Sequence, residues 1–162
     1  NAPNLLPKDL EPEIRKWHKL LQNSVNDGVY RCGFARTQSS YNKASKALFE
    51  CLELIEESLL QRGPWLCGER LTLADVRLFP TLIRWEIIYE PLFGCSQKPL
   101  WSFPKIWEWR QKFLAQTNVV ETCDSNAWLR DYYGALFPLR PSNIVPLRTD
   151  LIQMVNTQIL IT

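Results

Sequence analysis

The stretch Leu71-Thr72-Leu73-Ala74-Asp75-Val76 reads as the start of a buried helix. A Thr at the cap can accept a hydrogen bond from a backbone N–H of the first turn. An acid three residues later can reach back to the N–H of the cap residue. Glu or Gln is usual at that place, and Asp75 can serve. Leu71 and Val76 stand at the spacing of a hydrophobic staple. The apolar positions Phe79, Ile83 and Ile87 extend the helix, with a kink expected at Pro80. Caps of this kind contribute about 1 kcal/mol each, the loss expected for removing either Thr72 or Asp75.

Outward from this segment the pattern stays helical. Upstream, Tyr41, Ala44, Leu48, Leu52, Ile55 and Leu59 form a stripe with steps of three and four. The spacing predicts a long helix from about Ser40 to Gln61, stopped by Gly63-Pro64. Lys43, Lys46, Glu50, Glu53 and Glu57 form its solvated face. An earlier helix begins at Pro12 and repeats Ile14, Trp17, Leu21 and Val25. Asn26-Asp27-Gly28 is expected to end it, with Gly28 taking the left-handed conformation. Downstream, Ser102-Phe103-Pro104 opens a fourth helix through Ile106, Trp109 and Phe113. Asp124 or Ser125 opens a fifth, with doublets Trp128/Leu129, Tyr132/Tyr133 and Leu136/Phe137. Pro138 and Pro141 end it. The fold class is therefore all-α, a helical bundle. Residues 1–146 make one domain, and residues 147–162 form a tail of undecided structure.

Composition excludes several functions. The chain has 162 residues, 46% hydrophobic and 22% charged, which is enough for a real core. A net charge of +2 without a basic stripe argues against nucleic acid. No apolar run approaches the roughly 20 residues of a membrane span, and the first residues do not form a signal peptide. The single histidine, His18, argues against a metal role, and no metal is expected. Five cysteines, an odd number with no C-x-x-C spacing, suggest reduced, buried thiols. There is no P-loop, no G-x-G-x-x-G and no G-x-S-x-G. The residues alone describe a helical domain without a self-sufficient active site.

Two segments carry a family resemblance. Leu66-Cys67-Gly68-Glu69-Arg70 followed by Leu71 to Arg84 resembles the capped core helix of glutathione transferase C-terminal domains. Val25-Asn26-Asp27-Gly28-Val29-Tyr30-Arg31-Cys32-Gly33-Phe34-Ala35, with Thr37-Gln38 and Tyr41, resembles the Xi class, the glutathionyl-hydroquinone reductases. Tyr132-Tyr133 followed by Pro141, Asn143-Ile144 and Pro146 is similar to that family's closing motif. The resemblance runs from about Leu5 to Pro146. The ending Leu136-Phe137-Pro138-Leu139 resembles plant and algal members.

The resemblance implies a two-domain homodimer of the cytoplasm, or of the plastid, acting on glutathione as co-substrate and on an aromatic or quinol electrophile. It implies that the catalytic cysteine lies in an N-terminal thioredoxin-like domain, with no catalytic residue in this chain. The helical domain would supply the pocket wall and the dimer contact. By motif, Tyr30, Tyr132 and Tyr133 correspond to substrate-binding positions, while Thr72 and Asp75 form the structural capping box. Two readings stay open at Tyr30, a pocket phenol or a tyrosine closing the helix-one turn. Tyr132 and Tyr133 also fit a plain core stripe. Asp131, Ala135 and Leu136 depart from the family pattern and remove a polar pocket contact. The alternative is a non-catalytic interaction or assembly module, for which the same helical domain serves elsewhere.

Overall fold

The structure, a computed structural model, describes residues 3–136 and Ile144. Its helices are α1 (Glu11–Leu21), α2 (Gly28–Gly33), α3 (Gln38–Arg62), α4 (Leu73–Ile83), α5 (Glu90–Phe93), α6 (Pro104–Leu114) and α7 (Ser125–Ala135). No strand occurs among the described residues. The all-α helical bundle expected from the sequence is the fold observed among the described residues. Phe137, Pro138, Pro141, Asn143, Pro146 and the tail 147–162 lie outside the described residues.

The Thr72–Asp75 box is present and reaches further than the sequence indicates. Asp75 Oδ2 accepts from the N–H of Thr72 at 3.0 Å and from its hydroxyl at 3.1 Å. Asp75 Oδ1 accepts from the N–H of Leu66 and from Trp109 Nε1, both at 2.9 Å. One carboxylate thus joins the 64–72 loop, α4 and α6. The nearest donor to the Thr72 hydroxyl is the N–H of Ala74, at 3.3 Å. The N–H of Leu73 goes to the carbonyl of Leu5 at 2.8 Å. The first turn of α4 therefore leaves no donor to water, as a buried helix end requires.

The helix begun at Thr72 is shorter than expected. It ends at Ile83 instead of running on to Ile87. Pro80 has no N–H to give to the fourth residue back, and its ring crowds that carbonyl. The end is closed by two arginines. Arg84 donates to the carbonyl of Pro80 at 3.1 Å, and the buried Arg110 of α6 donates to that of Leu82 at 3.0 Å. Arg110 also pairs with Glu86 at 2.7 Å. The chain then takes a wide π turn, Trp85–Tyr89, before α5.

A second π turn corrects the reading of Gly28. After α1 the chain continues through Gln22–Asn26, with Asp27 N–H bonded to the carbonyl of Gln22 at 3.0 Å. Gly28 is then the first residue of α2 and is not left-handed; among the glycines, positive φ occurs at Gly68 and Gly94. The extra residue in the turn rotates the next side chains by about 100°. That directs Asn26 onto α4, where its amide donates to the Arg77 carbonyl at 3.0 Å and to the Thr81 hydroxyl at 2.8 Å.

Two other caps differ from expectation. The long helix starts earlier, at Gln38, because Thr37 caps it by accepting from the N–H of Ser40 at 3.1 Å. Ser102 does not cap α6; its hydroxyl donates to the Pro99 carbonyl at 2.7 Å. Glu56 of α3 does so from a distance, accepting from the N–H groups of Lys105 at 2.9 Å and Ile106 at 2.8 Å. A carboxylate suits the positive end of a helix dipole. The core fills the space between α1, α3, α4 and α6, and Trp17, Trp65, Trp85, Trp107 and Trp109 are all buried in it.

The two members of the box are unequal, which revises the equal cost expected from the sequence. Thr72→Ala removes one cap acceptor and should cost about 1 kcal/mol. Asp75→Ala strands the donors of Leu66, Thr72 and Trp109 in the interior and should cost about 3–5 kcal/mol. Chemical denaturation of both variants checks this; equal midpoints would show that the cross-element bonds contribute nothing.

Candidate functional site

The two π turns bring tyrosines from distant parts of the chain together. Tyr30 stands on α2, Tyr89 at the end of the second π turn, and Tyr132 on α7. The Tyr132 hydroxyl lies 2.7 Å from that of Tyr30 and 3.0 Å from that of Tyr89. Phe93 lies beneath them, with ring centroids 5.2 Å from Tyr30, 5.4 Å from Tyr89 and 6.2 Å from Tyr132. Phe34 meets the other side of Phe93 at 5.8 Å. A Cβ added at Gly33 would sit 2.6 Å from Phe93, so only glycine lets α2 approach this ring so closely. Tyr30 remains 38% exposed and Tyr89 only 2%. The cluster is buried at one end and open at the other. Its open end meets a groove of about 950 Å³ between α2 and α3, bordered by Arg31, Arg36 and Lys43.

Burial gives the cluster a polarity. A phenol has one proton to donate, and a buried donor needs an acceptor. Tyr89 can satisfy its proton by donating to Tyr132, and Tyr132 then donates to Tyr30. That order leaves the Tyr30 proton free to face the open side. The reverse order would point the Tyr89 proton away from Tyr132 and into the core. Burial raises the Tyr30 and Tyr89 hydroxyls above the ordinary phenol range, Tyr89 the more strongly. Both are neutral donors at physiological pH.

Residues 38–112 match the family described as glutathione S-transferase, C-terminal domain. The chain is 38% identical over 140 residues to glutathionyl-hydroquinone reductase PcpF of Sphingobium chlorophenolicum, covering 86% of this chain and 44% of that protein. The fold matches the glutathione-bound YqjG of Escherichia coli K-12, a glutathione transferase homolog, with a TM-score of 0.88 and 27% identity over 93% of this chain and 49% of that one. It also matches glutathione-S-transferase Xi of Phanerochaete chrysosporium, with a TM-score of 0.87 and 31% identity over 91% of this chain and 48% of that one. The chain belongs to the glutathione transferases. It is a C-terminal domain of the Xi-class type, and it spans about half the length of the relatives it matches.

Within this transferase domain the tyrosines singled out from sequence separate. Tyr30 and Tyr132 meet, although 102 positions apart. Tyr30 projects from inside α2 and not from the turn after a helix. Tyr133 points the other way: it is fully buried, and its hydroxyl donates to the carbonyl of Ile87 at 3.4 Å. Adjacent residues on a helix face about 100° apart, so one member of the pair reaches the cluster and the other the core. Tyr89 and Phe93 were missed. They come after Pro80 and Arg84, beyond the point where helical spacing from Thr72 stops being a guide. Thr72 and Asp75 are structural and lie in the core. No cluster of metal-binding side chains occurs among the described residues, and no described helix is long and apolar enough to cross a membrane.

The raised phenols set an alkaline limit. In the unfolded chain tyrosine ionises near pH ~10. In the fold Tyr30 and Tyr89 hold their protons to higher pH. Above that pH the folded state binds more protons than the unfolded one, so stability is full below it and falls as pH rises. Tyr89→Phe should flatten the decline. Phenolate absorbance recorded together with circular dichroism tests this; Tyr89 ionising at the ordinary pH in a fully folded domain would contradict it.

Proposed function

We propose that this chain is the electrophile-site and dimerisation domain of a glutathione-dependent transferase or reductase that removes glutathione from glutathionylated hydroquinones. The observation that carries the reading is the three-phenol cluster, anchored on buried Tyr89 and open at Tyr30. The names of the relatives, among them two glutathionyl-hydroquinone reductases, support it.

In this reading a cysteine of an N-terminal thioredoxin-like domain attacks the glutathione sulfur of the substrate. The sulfur–carbon bond breaks, a protein–glutathione disulfide forms, and the ring carbon takes a proton as the hydroquinone leaves. A second glutathione then displaces the first as glutathione disulfide. This domain contributes no atom to those bonds. Tyr30 donates to the quinol oxygen, with Tyr132 behind it. A donor aimed at developing negative charge strengthens in the transition state, where it raises turnover more than it tightens binding. An aromatic ring on the wall also suits a flat, apolar substrate. The same reading makes the protein a homodimer of the cytoplasm or plastid, with glutathione held mainly by the other domain.

Two measurements test this. In the full-length protein, Tyr30→Phe should lower kcat on a glutathionylated hydroquinone by roughly tenfold to a hundredfold with little change in melting temperature. A simple glutathione mixed disulfide, which has no quinol oxygen, should be affected far less. Equal losses on both substrates would make Tyr30 a packing residue. The isolated chain should show no turnover; quinol release abolished by Cys32→Ser would place the reacting thiol here instead.

A further inference from the structure

The groove beside the phenols differs from its neighbours in charge. It runs between α2 and α3 and has a volume of about 950 Å³. Arg31, Arg36 and Lys43 line it together with a single acid, Asp27. Three other grooves of the described residues hold acids and bases in equal number or an excess of acid. Asp27 is already paired: it accepts from Gln22 Nε2 at 2.7 Å and lies 3.8 Å from Arg31. Arg31 is held as well, since it donates to the Asn23 carbonyl of the first π turn. Arg36 and Lys43 are exposed and have no ion-pair partner among the described residues. Lys43, which the sequence places on a plain solvated face, therefore stands over a groove with unpaired positive charge.

The walls suit an aromatic guest. Tyr30 and Phe34, one helical turn apart, are 38% and 46% exposed. Trp101 is the only other exposed aromatic side chain among the described residues. Across from them α3 presents Ser40, Ala44 and Ala47, which share one face by their spacing and are too small to fill the gap. Sites of roughly 300–1,000 Å³ take ligands larger than a single ring. A quinol at the Tyr30 hydroxyl leaves room along this groove for a substituent.

We propose that the groove selects quinols whose ring bears a carboxylate, directed along it toward Arg36 and Lys43 with Arg31 at its side. The inference rests on the reading of Tyr30 as the donor to the quinol oxygen; the charge of the substituent is what it adds. A carboxylate is ionised at neutral pH. The guanidinium fork matches its two oxygens, and a lysine ammonium adds a point charge. Water and salt screen cations in an open groove, so each contributes modestly and together they set a preference. Glutathione carries carboxylates of its own, and the test separates the two sources.

The experiment titrates the full-length protein with 2,5-dihydroxyphenylacetate and with its primary amide, which keeps the shape and removes the charge, and reads both Kd values by calorimetry. The acid should bind about three- to tenfold more tightly. That ratio should fall toward one at about 0.5 M salt. It should also fall toward one in Arg36→Gln/Lys43→Gln, whose altered side chains have no partner in the fold and whose folding circular dichroism checks. Equal Kd values for acid and amide, no binding of either, or a ratio that survives in the double variant would overturn the proposal. Glutathione should bind the double variant as tightly as the unaltered protein. Weaker glutathione binding there would assign these cations to glutathione's own carboxylates and overturn the proposal as well. Tyr30→Phe should weaken acid and amide alike. Unchanged binding of both, with the acid still preferred, would overturn the quinol reading and leave the charge preference standing.

Discussion

The carboxylate of Asp75 holds three parts of the molecule in register. It accepts from the loop at Leu66, from the cap at Thr72 and from the indole of Trp109. Burial raises its pKa, and these hydrogen bonds pull the other way. A buried acid is costly unless its acceptor positions are filled. Here they are filled by donors that would otherwise be orphans themselves. The bond to Trp109 fixes α6 against α4, and the bond to Leu66 fixes the loop that Trp17 of α1 also engages, through Leu66's carbonyl at 3.0 Å. Later geometry in the chain is measured from this point.

The consequence runs along α4 to the phenols. With its start fixed, the helix delivers Pro80 and then Arg84 to a set place. The carbonyls freed near its end are taken by Arg84 and by Arg110, and Arg110 is itself held on the rigid α6 and stacked on Trp107 at 4.1 Å. The pair Arg110–Glu86 lies inside the second π turn. Withdrawing two charges from water offsets much of their attraction, so this pair is weak evidence of added stability. The result is that Tyr89 enters the cluster from below while Tyr132 and Tyr30 reach it from other helices. The exposed phenol, Tyr30, is carried on α2, a short helix preceded by the first π turn.

Much of this was legible in the residues. The long stripe from Tyr41 to Leu59, the Thr72 cap with its staple, and the start of the last helix at Asp124 come from side-chain period and capping chemistry, which act within a few residues. Tyr30 and Tyr132 were legible only through family resemblance. Periodicity assigns Tyr132 and Tyr133 the same stripe, and it gave no ground for separating them. Tyr89 and Phe93 left no local signal, since they lie past a proline that ends the pattern leading up to them.

The sequence by itself determined the helical class, the order of the long helices and their principal caps. These depend on interactions between residues three or four apart, whose partners are fixed by the helix itself. The tertiary structure decided the rest. It turned Gly28 from a helix stop into a helix start, moved the cap of α6 from Ser102 to Glu56, made Asp75 a junction of three elements and placed one tyrosine of an adjacent pair in the core and the other in the cluster. Each depends on a partner brought near by packing. One added residue in a turn, as at Gln22–Asn26 and Trp85–Tyr89, is enough to redirect the side chains beyond it, and a linear pattern carries no record of it.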